Sequence, residues 1–177
     1  MAQSSLTQRK IEGKVAIITG GASGVGEATA RLFANQGPLA IVIADIQDEL
    51  GQKVAESIGS NVCSYFHCDV SDEEQVKAMV DWTVKTYGQL DIMLSNAGVM
   101  TGKSEQKILE LDLSDMDHNY AVNARGMAAC VKHAARVMVE RQIKGSIVCT
   151  ASLAGSKGFH KLTDYYMSKH ALSLIHI

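Results

Sequence analysis

Short apolar runs alternate along the chain with longer stretches whose apolar residues recur at helical spacing. Residues 15–19 (Val-Ala-Ile-Ile-Thr) predict a first strand, and a glycine-rich turn over 20–26 leads into a helix over 27–36 carrying Ala30, Phe33 and Ala34 on one face. Gly37-Pro38 ends that helix. Residues 40–44 predict a second strand closing at Asp45, 49–58 a helix stopped by Gly59, and 62–67 a third strand. Ser71 with Glu74 three residues on reads as a capping box, opening a helix that runs to Tyr87 and stops at Gly88. Residues 90–95 predict a fourth strand, 96–98 a turn, and 101–107 a polar loop. Residues 114–140 predict one long helix rich in small side chains, 146–150 a fifth strand, and a last helix begins at Thr163 or Asp164. Strand and helix in alternation predict an α/β fold of βαβ units around a parallel sheet.

Two places on this frame carry chemistry. Thr19-Gly20-Gly21-Ala22-Ser23-Gly24-Val25-Gly26 lies between a predicted strand and helix. Such a turn lets a dinucleotide pyrophosphate reach backbone N–H groups at a helix start, although a purely structural turn would use the same glycines. Asp45, followed by Ile46, closes the second strand where a carboxylate meets the adenosine ribose; a helix N-cap is the alternative. A carboxylate there repels a 2′-phosphate, and the turn holds no Arg or Lys to pair with one, so NAD is favoured over NADP.

The second place is Tyr165 and Lys169, one helical turn apart. A free tyrosine ionises near pH 10, and a neighbouring ammonium favours the phenolate, making a usable base. Taken alone, this spacing also describes many exposed helices. Ser152 follows the fifth predicted strand, where its hydroxyl could meet the same substrate oxygen or simply cap the strand end.

In this order and spacing the motifs resemble the short-chain dehydrogenase/reductase family over residues 14–171. Thr19, Gly20, Gly24 and Gly26 match its glycine motif, Asp69 followed by Val70 its adenine-contacting position, and Ser95-Asn96-Ala97-Gly98 its Asn-Asn-Ala-Gly turn with Ser for the first Asn. Asn123 matches its helix asparagine, and Ser152, Tyr165 and Lys169 its remaining catalytic set. The resemblance implies a Rossmann-type doubly wound parallel sheet with NAD held by Gly20, Ser23, Gly24, Val25, Gly26, Asp45, Ile46, Asp69, Val70, Asn96, Ala97, Gly98, Tyr165 and Lys169. It implies that Tyr165 takes an alcohol proton while hydride passes to nicotinamide. Lys169 would hold the nicotinamide ribose, Ser152 orient the substrate oxygen, and Asn123 hold a relay water; a packing amide is the plain alternative for Asn123. Tyr166 points about 100° away around the helix. Residues 155–162 would wall the substrate pocket, with Phe159, His160 and Leu162 as apolar-ligand contacts, or His160 as an exposed loop residue. The closer wording resembles plant dehydrogenases of terpenoid and lignan alcohols, together with a nepetalactol-related group containing non-redox cyclases. Both an alcohol or carbonyl substrate and an NAD-binding iridoid cyclase are therefore in view.

Composition narrows the picture only slightly. Apolar residues make up 46% and charged residues 20% of the 177, with a net charge of −2. Basic residues are scattered, which argues against nucleic acid as a partner, and no apolar run reaches membrane-spanning length. Cys63, Cys68, Cys130 and Cys149 show neither disulfide nor zinc spacing; Cys63 and Cys149 read as core residues, and Cys68 beside His67 makes no metal site. A reducing cytoplasm is expected. Residues 1–12 read as a loose tail and 13–171 as a single domain. Family members continue through a further strand, a substrate lid and a final strand, and full-length members are expected to be homo-oligomers. Residues 172–177 depart from that continuation and match a translated sequencing adapter, so they read as non-native. The C-terminal part of the fold is expected to be missing, and the chain as written to be poorly soluble or inactive.

Overall fold

The computed structural model describes residues 10–100, 108–158 and 161–174. Five strands form one parallel sheet: β1 (Val15–Thr19), β2 (Ala40–Asp45), β3 (Cys63–His67), β4 (Ile92–Ser95) and β5 (Ser146–Cys149). Their spatial order is β3-β2-β1-β4-β5. Connections from β1 therefore run outward one way through β2 and β3, then reverse to β4 and β5. A crevice opens at that reversal, beyond the carboxyl ends of β1 and β4. This is the expected Rossmann-type arrangement.

The central strands β1 and β2 bury both faces, and side chains along the sheet sort by twos. Ile18, Ile41, Ile43 and Leu94 pack with Ala30 of α1 (Gly24–Ala34) and Val54 and Ala55 of α2 (Asp48–Ile58). Ile17, Val42, Ala44 and Met93 face the other layer, α3 (Glu73–Tyr87) and α5 (Met127–Glu140). Asp91 pins the amino ends of β1 and β4 together: its carboxylate accepts from Val15 N at 2.9 Å, Lys14 Nζ at 2.9 Å and Gln89 Nε2 at 2.7 Å.

Four expectations shift. First, α1 begins at Gly24, inside the glycine turn rather than after it. Second, the cap of α3 is Asp72, whose side chain accepts from Glu74 N at 3.0 Å. A carboxylate next to the first turn outcompetes the Ser71 hydroxyl, which instead donates to Asp69 Oδ1 at 2.7 Å. Third, β4 starts at Ile92; Asp91, just before it, donates its N–H to Val15 O at 2.9 Å and accepts from Ser146 N at 2.7 Å. Fourth, the long helix is not uniform. It runs as α4 (Leu113–Tyr120), a π-helical turn (Ala121–Gly126) and α5. A π turn arises where tertiary bonds outweigh the regular ladder, and Asn123 inside it is bonded across to Val99. Residues 101–107, Phe159 and His160 lie outside the described residues. Cys63 is buried, whereas Cys149 on β5 is only half-buried.

Candidate active site

The β1–α1 turn is made by backbone geometry that glycine permits. Gly20 and Gly24 have φ of 66° and 54°, where other residues are strained. Thr19 Oγ1 accepts from Asn96 N at 3.0 Å and Ala97 N at 3.1 Å, and Asn96 Nδ2 donates to Thr19 O at 3.1 Å. Thr150 Oγ1 donates to Asn96 Oδ1 at 3.1 Å. Asn96 thus laces together the carboxyl ends of β1, β4 and β5. Asp45 completes the turn from the other side: Oδ2 accepts from Ala22 N at 3.0 Å, and Oδ1 from Gln47 N at 3.1 Å and Gln47 Nε2 at 3.3 Å. It is not the cap of α2, which begins after Gln47.

Above this turn lies a cleft of about 380 Å³. Every residue expected at the cofactor lines it except Gly26, Tyr165 and Lys169. Gly26 is buried, and a Cβ there would fall 2.0 Å from Gly20 O, so its place is in helix–turn packing rather than at the cleft. Gln47, Cys68, Val99, His118 and Val122 also line the cleft and had no signal of their own in the sequence. His118 and Val122 follow from α4 and the π turn running along the cleft, which is a tertiary fact. Burial pushes the Cys68 thiol up to about 12, so it stands in the wall as a small apolar group.

The residues expected to be catalytic lie on α6 (Thr163–Ala171) and its neighbours. Lys169 is 5% exposed and its Nζ lies 5.9 Å from the Tyr165 ring centroid, within cation–π reach. Burial drives its pKa below the ordinary lysine value. Lys169 does not line the cleft but stands directly behind its floor: a Cβ on Gly98 would be 3.3 Å from Nζ and 3.2 Å from Asn123 Oδ1. Asn123 is fully buried; Oδ1 accepts from Val99 N at 2.8 Å, and Nδ2 donates to Val99 O at 2.8 Å and Ser168 Oγ at 3.0 Å. Ser152 Oγ accepts from Ala154 N at 3.1 Å at the start of a 3₁₀ turn, Leu153–Gly155. That turn rides close on α6, since a Cβ at Gly155 would fall 2.8 Å from Lys169 O. Tyr166 faces elsewhere, lining a separate groove with Tyr120, Met167 and His170.

The short chain dehydrogenase family model matches residues 14–176. A (+)-cis,trans-nepetalactol synthase of Nepeta racemosa is 60% identical over 93% of this chain and 62% of its own length. The mitochondrial (−)-isopiperitenol/(−)-carveol dehydrogenase of Mentha piperita is 57% identical over 91% of this chain and 60% of its own length. The chain thus spans less than two thirds of these relatives. Among solved structures, a short chain dehydrogenase/reductase from Burkholderia phymatum in complex with NAD superposes with a TM-score of 0.86 at 30% identity, covering 92% of this chain and 57% of that one. An NAD+-bound xylitol dehydrogenase gives 0.85 at 32% identity, covering 92% and 62%. Among the described residues, no helix is long and apolar enough to cross a membrane.

Proposed function

Because the chain belongs to the short-chain dehydrogenase family, we propose that it binds NAD in the glycine-floored cleft and oxidises a secondary alcohol of a small terpenoid-like molecule to a ketone, or the carbinol of a lactol to a lactone. The supporting observation is the burial of the Lys169 ammonium between the Tyr165 ring and the Gly98 floor. The cleft fits the cofactor: a Cβ on Gly24 would meet nothing, leaving the turn open to a pyrophosphate, and Asp45 sits at the end of β2 for the ribose hydroxyls. With no Arg or Lys in the turn, NAD is preferred to NADP. Bound NAD supplies the hydride acceptor.

The chain's own residues handle the proton. Tyr165, as phenolate, takes it from the alcohol oxygen as the carbinol C–H leaves as hydride, giving carbonyl product, NADH and a proton. The Ser152 oxygen already accepts from Ala154 N, which leaves its own proton to donate to the substrate oxygen. Lys169 supplies positive charge beside the phenol and would hold the nicotinamide ribose. Asn123 fixes Val99 and Ser168 through three bonds made by its side chain and, as the family resemblance implies, would hold the water that relays the proton outward. Leu162 stands at the start of α6 as a candidate pocket wall.

The substrate class follows from the isopiperitenol/carveol dehydrogenase likeness. The nepetalactol synthase likeness favours a second reading, cyclisation of a reactive iridoid with NAD held as a structural group. Supplying NAD and cyclic monoterpene alcohols while following NADH absorbance separates them: the dehydrogenase accumulates NADH, whereas a cyclase converts its substrate without it. Tyr165→Phe is expected to leave NAD affinity within about two-fold and abolish turnover. Undiminished oxidation in that variant defeats the mechanism.

A further inference from the structure

We infer that Asp164, held by Asn119, is a positioning residue for Tyr165; the inference rests on the dehydrogenase reading above. Asp164 is 1% exposed and Asn119 0%. Burying a carboxylate is costly unless hydrogen bonds satisfy it, and here they are made to two specific places. Oδ1 accepts from the backbone N of Tyr165 at 2.7 Å, and Oδ2 from Asn119 Nδ2 at 2.7 Å.

Both backbone polar groups of Tyr165 are therefore spoken for by side chains. Its N–H is tied through Asp164 to Asn119 on α4. Its carbonyl accepts from Ser168 Oγ at 2.8 Å, and Ser168 accepts in turn from Asn123 in the π turn. The helix carrying Tyr165 has no conventional start to hold it. Its N-cap, Leu162, has φ 62° and ψ 45° and offers no side-chain cap. The Asp164 carboxylate does that work from inside the first turn, where helix polarity favours an anion. Because α4 also walls the cleft through His118, the Asn119–Asp164 bond sets the height of the phenol relative to the cofactor's bed. Displacement of a reacting group by about 1 Å costs on the order of a hundred-fold in rate.

The test compares purified wild-type protein with Asp164→Ala, Asp164→Asn, Asn119→Ala and the double alanine variant. NAD Kd comes from fluorescence titration, kcat and KM for a cyclic monoterpene alcohol from NADH formation, and Tm from unfolding. Asp164→Ala should lower kcat about ten-fold or more while NAD Kd and alcohol KM stay within about two-fold. Asp164→Asn, which still accepts from Tyr165 N, should recover most of that loss. Asn119→Ala should lower kcat in the same direction, and the double variant should be no worse than Asp164→Ala. An unchanged kcat in Asp164→Ala overturns the inference, as does a parallel fall of kcat and NAD binding with no rescue by Asn. If Asp164→Ala does not fold, Asn119→Ala decides by the same kcat criterion. Wild-type protein that forms no NADH removes the dehydrogenase reading and this inference with it; active wild type with an indifferent Asp164→Ala removes this inference alone.

Discussion

Lys169 places a cation where water is nearly absent, and burial alone lowers its pKa. The folded value lies below the unfolded one of about 10.4, so the fold bears the full desolvation cost at and below neutral pH. That cost is relieved as pH rises between the folded and unfolded values. Lys169→Met, similar in length and apolar, is accordingly expected to raise Tm at pH 7 while abolishing oxidation. The Tm gap to wild type should narrow as pH rises toward that of free lysine, which a series of thermal melts will show. The Tyr165–Lys169 pair was readable in the sequence because one helical turn separates the two. Asn119 and Asp164 were not, since they meet only through the register of two helices 45 positions apart. His118, Gln47 and Cys68 escaped for the same reason: nothing local marks a residue as facing a cleft.

Apart from α1, which starts three residues earlier than expected, helix starts were readable to within a residue or two, and the differences have local causes. At α3 the sequence offers Ser71 and Asp72 in succession, and the carboxylate prevails by accepting from Glu74 N and from Gln75 Nε2 at 3.1 Å. The bond to Gln75, then that to Glu74 N, holds the Asp72 carboxyl below its ordinary value. Its contribution is thus present above the usual carboxylate range and lost as pH falls through the folded value. Asp72→Ala should lower Tm by several degrees at pH 7, and Ser71→Ala by much less. Equal effects would restore Ser71 as the cap. The π turn had no sequence signature, because it depends on Asn123 reaching Val99 and on Gly126 lying against Val70: a Cβ on Gly126 would fall 2.8 Å from Val70 O. Strands were easier, since β1 and β2 are apolar up to their last residues, Thr19 and Asp45, and flanked by turn residues.

Across the whole molecule, anchoring and chemistry occupy opposite ends of the sheet. Asp91 joins β1 and β4 at their amino ends, while the cleft opens at their carboxyl ends. Asp91→Ala leaves Val15 N without its acceptor and should cost about 1–3 kcal/mol, measured by the denaturant midpoint, with NAD affinity unchanged. Loss of NAD binding in the folded variant would contradict this division. Parallel pairing was legible from the βαβ rhythm, and the doubly wound arrangement only through family resemblance, because periodicity does not say which strand lies beside which. The thiol of Cys68 forms part of the cleft wall yet keeps its proton until about pH 12. Peroxide and alkylating agents act on thiolates, so neutral solutions of either should pass this wall without marking it. The proposed oxidation should therefore persist after iodoacetamide treatment at pH 7, as residual activity will show.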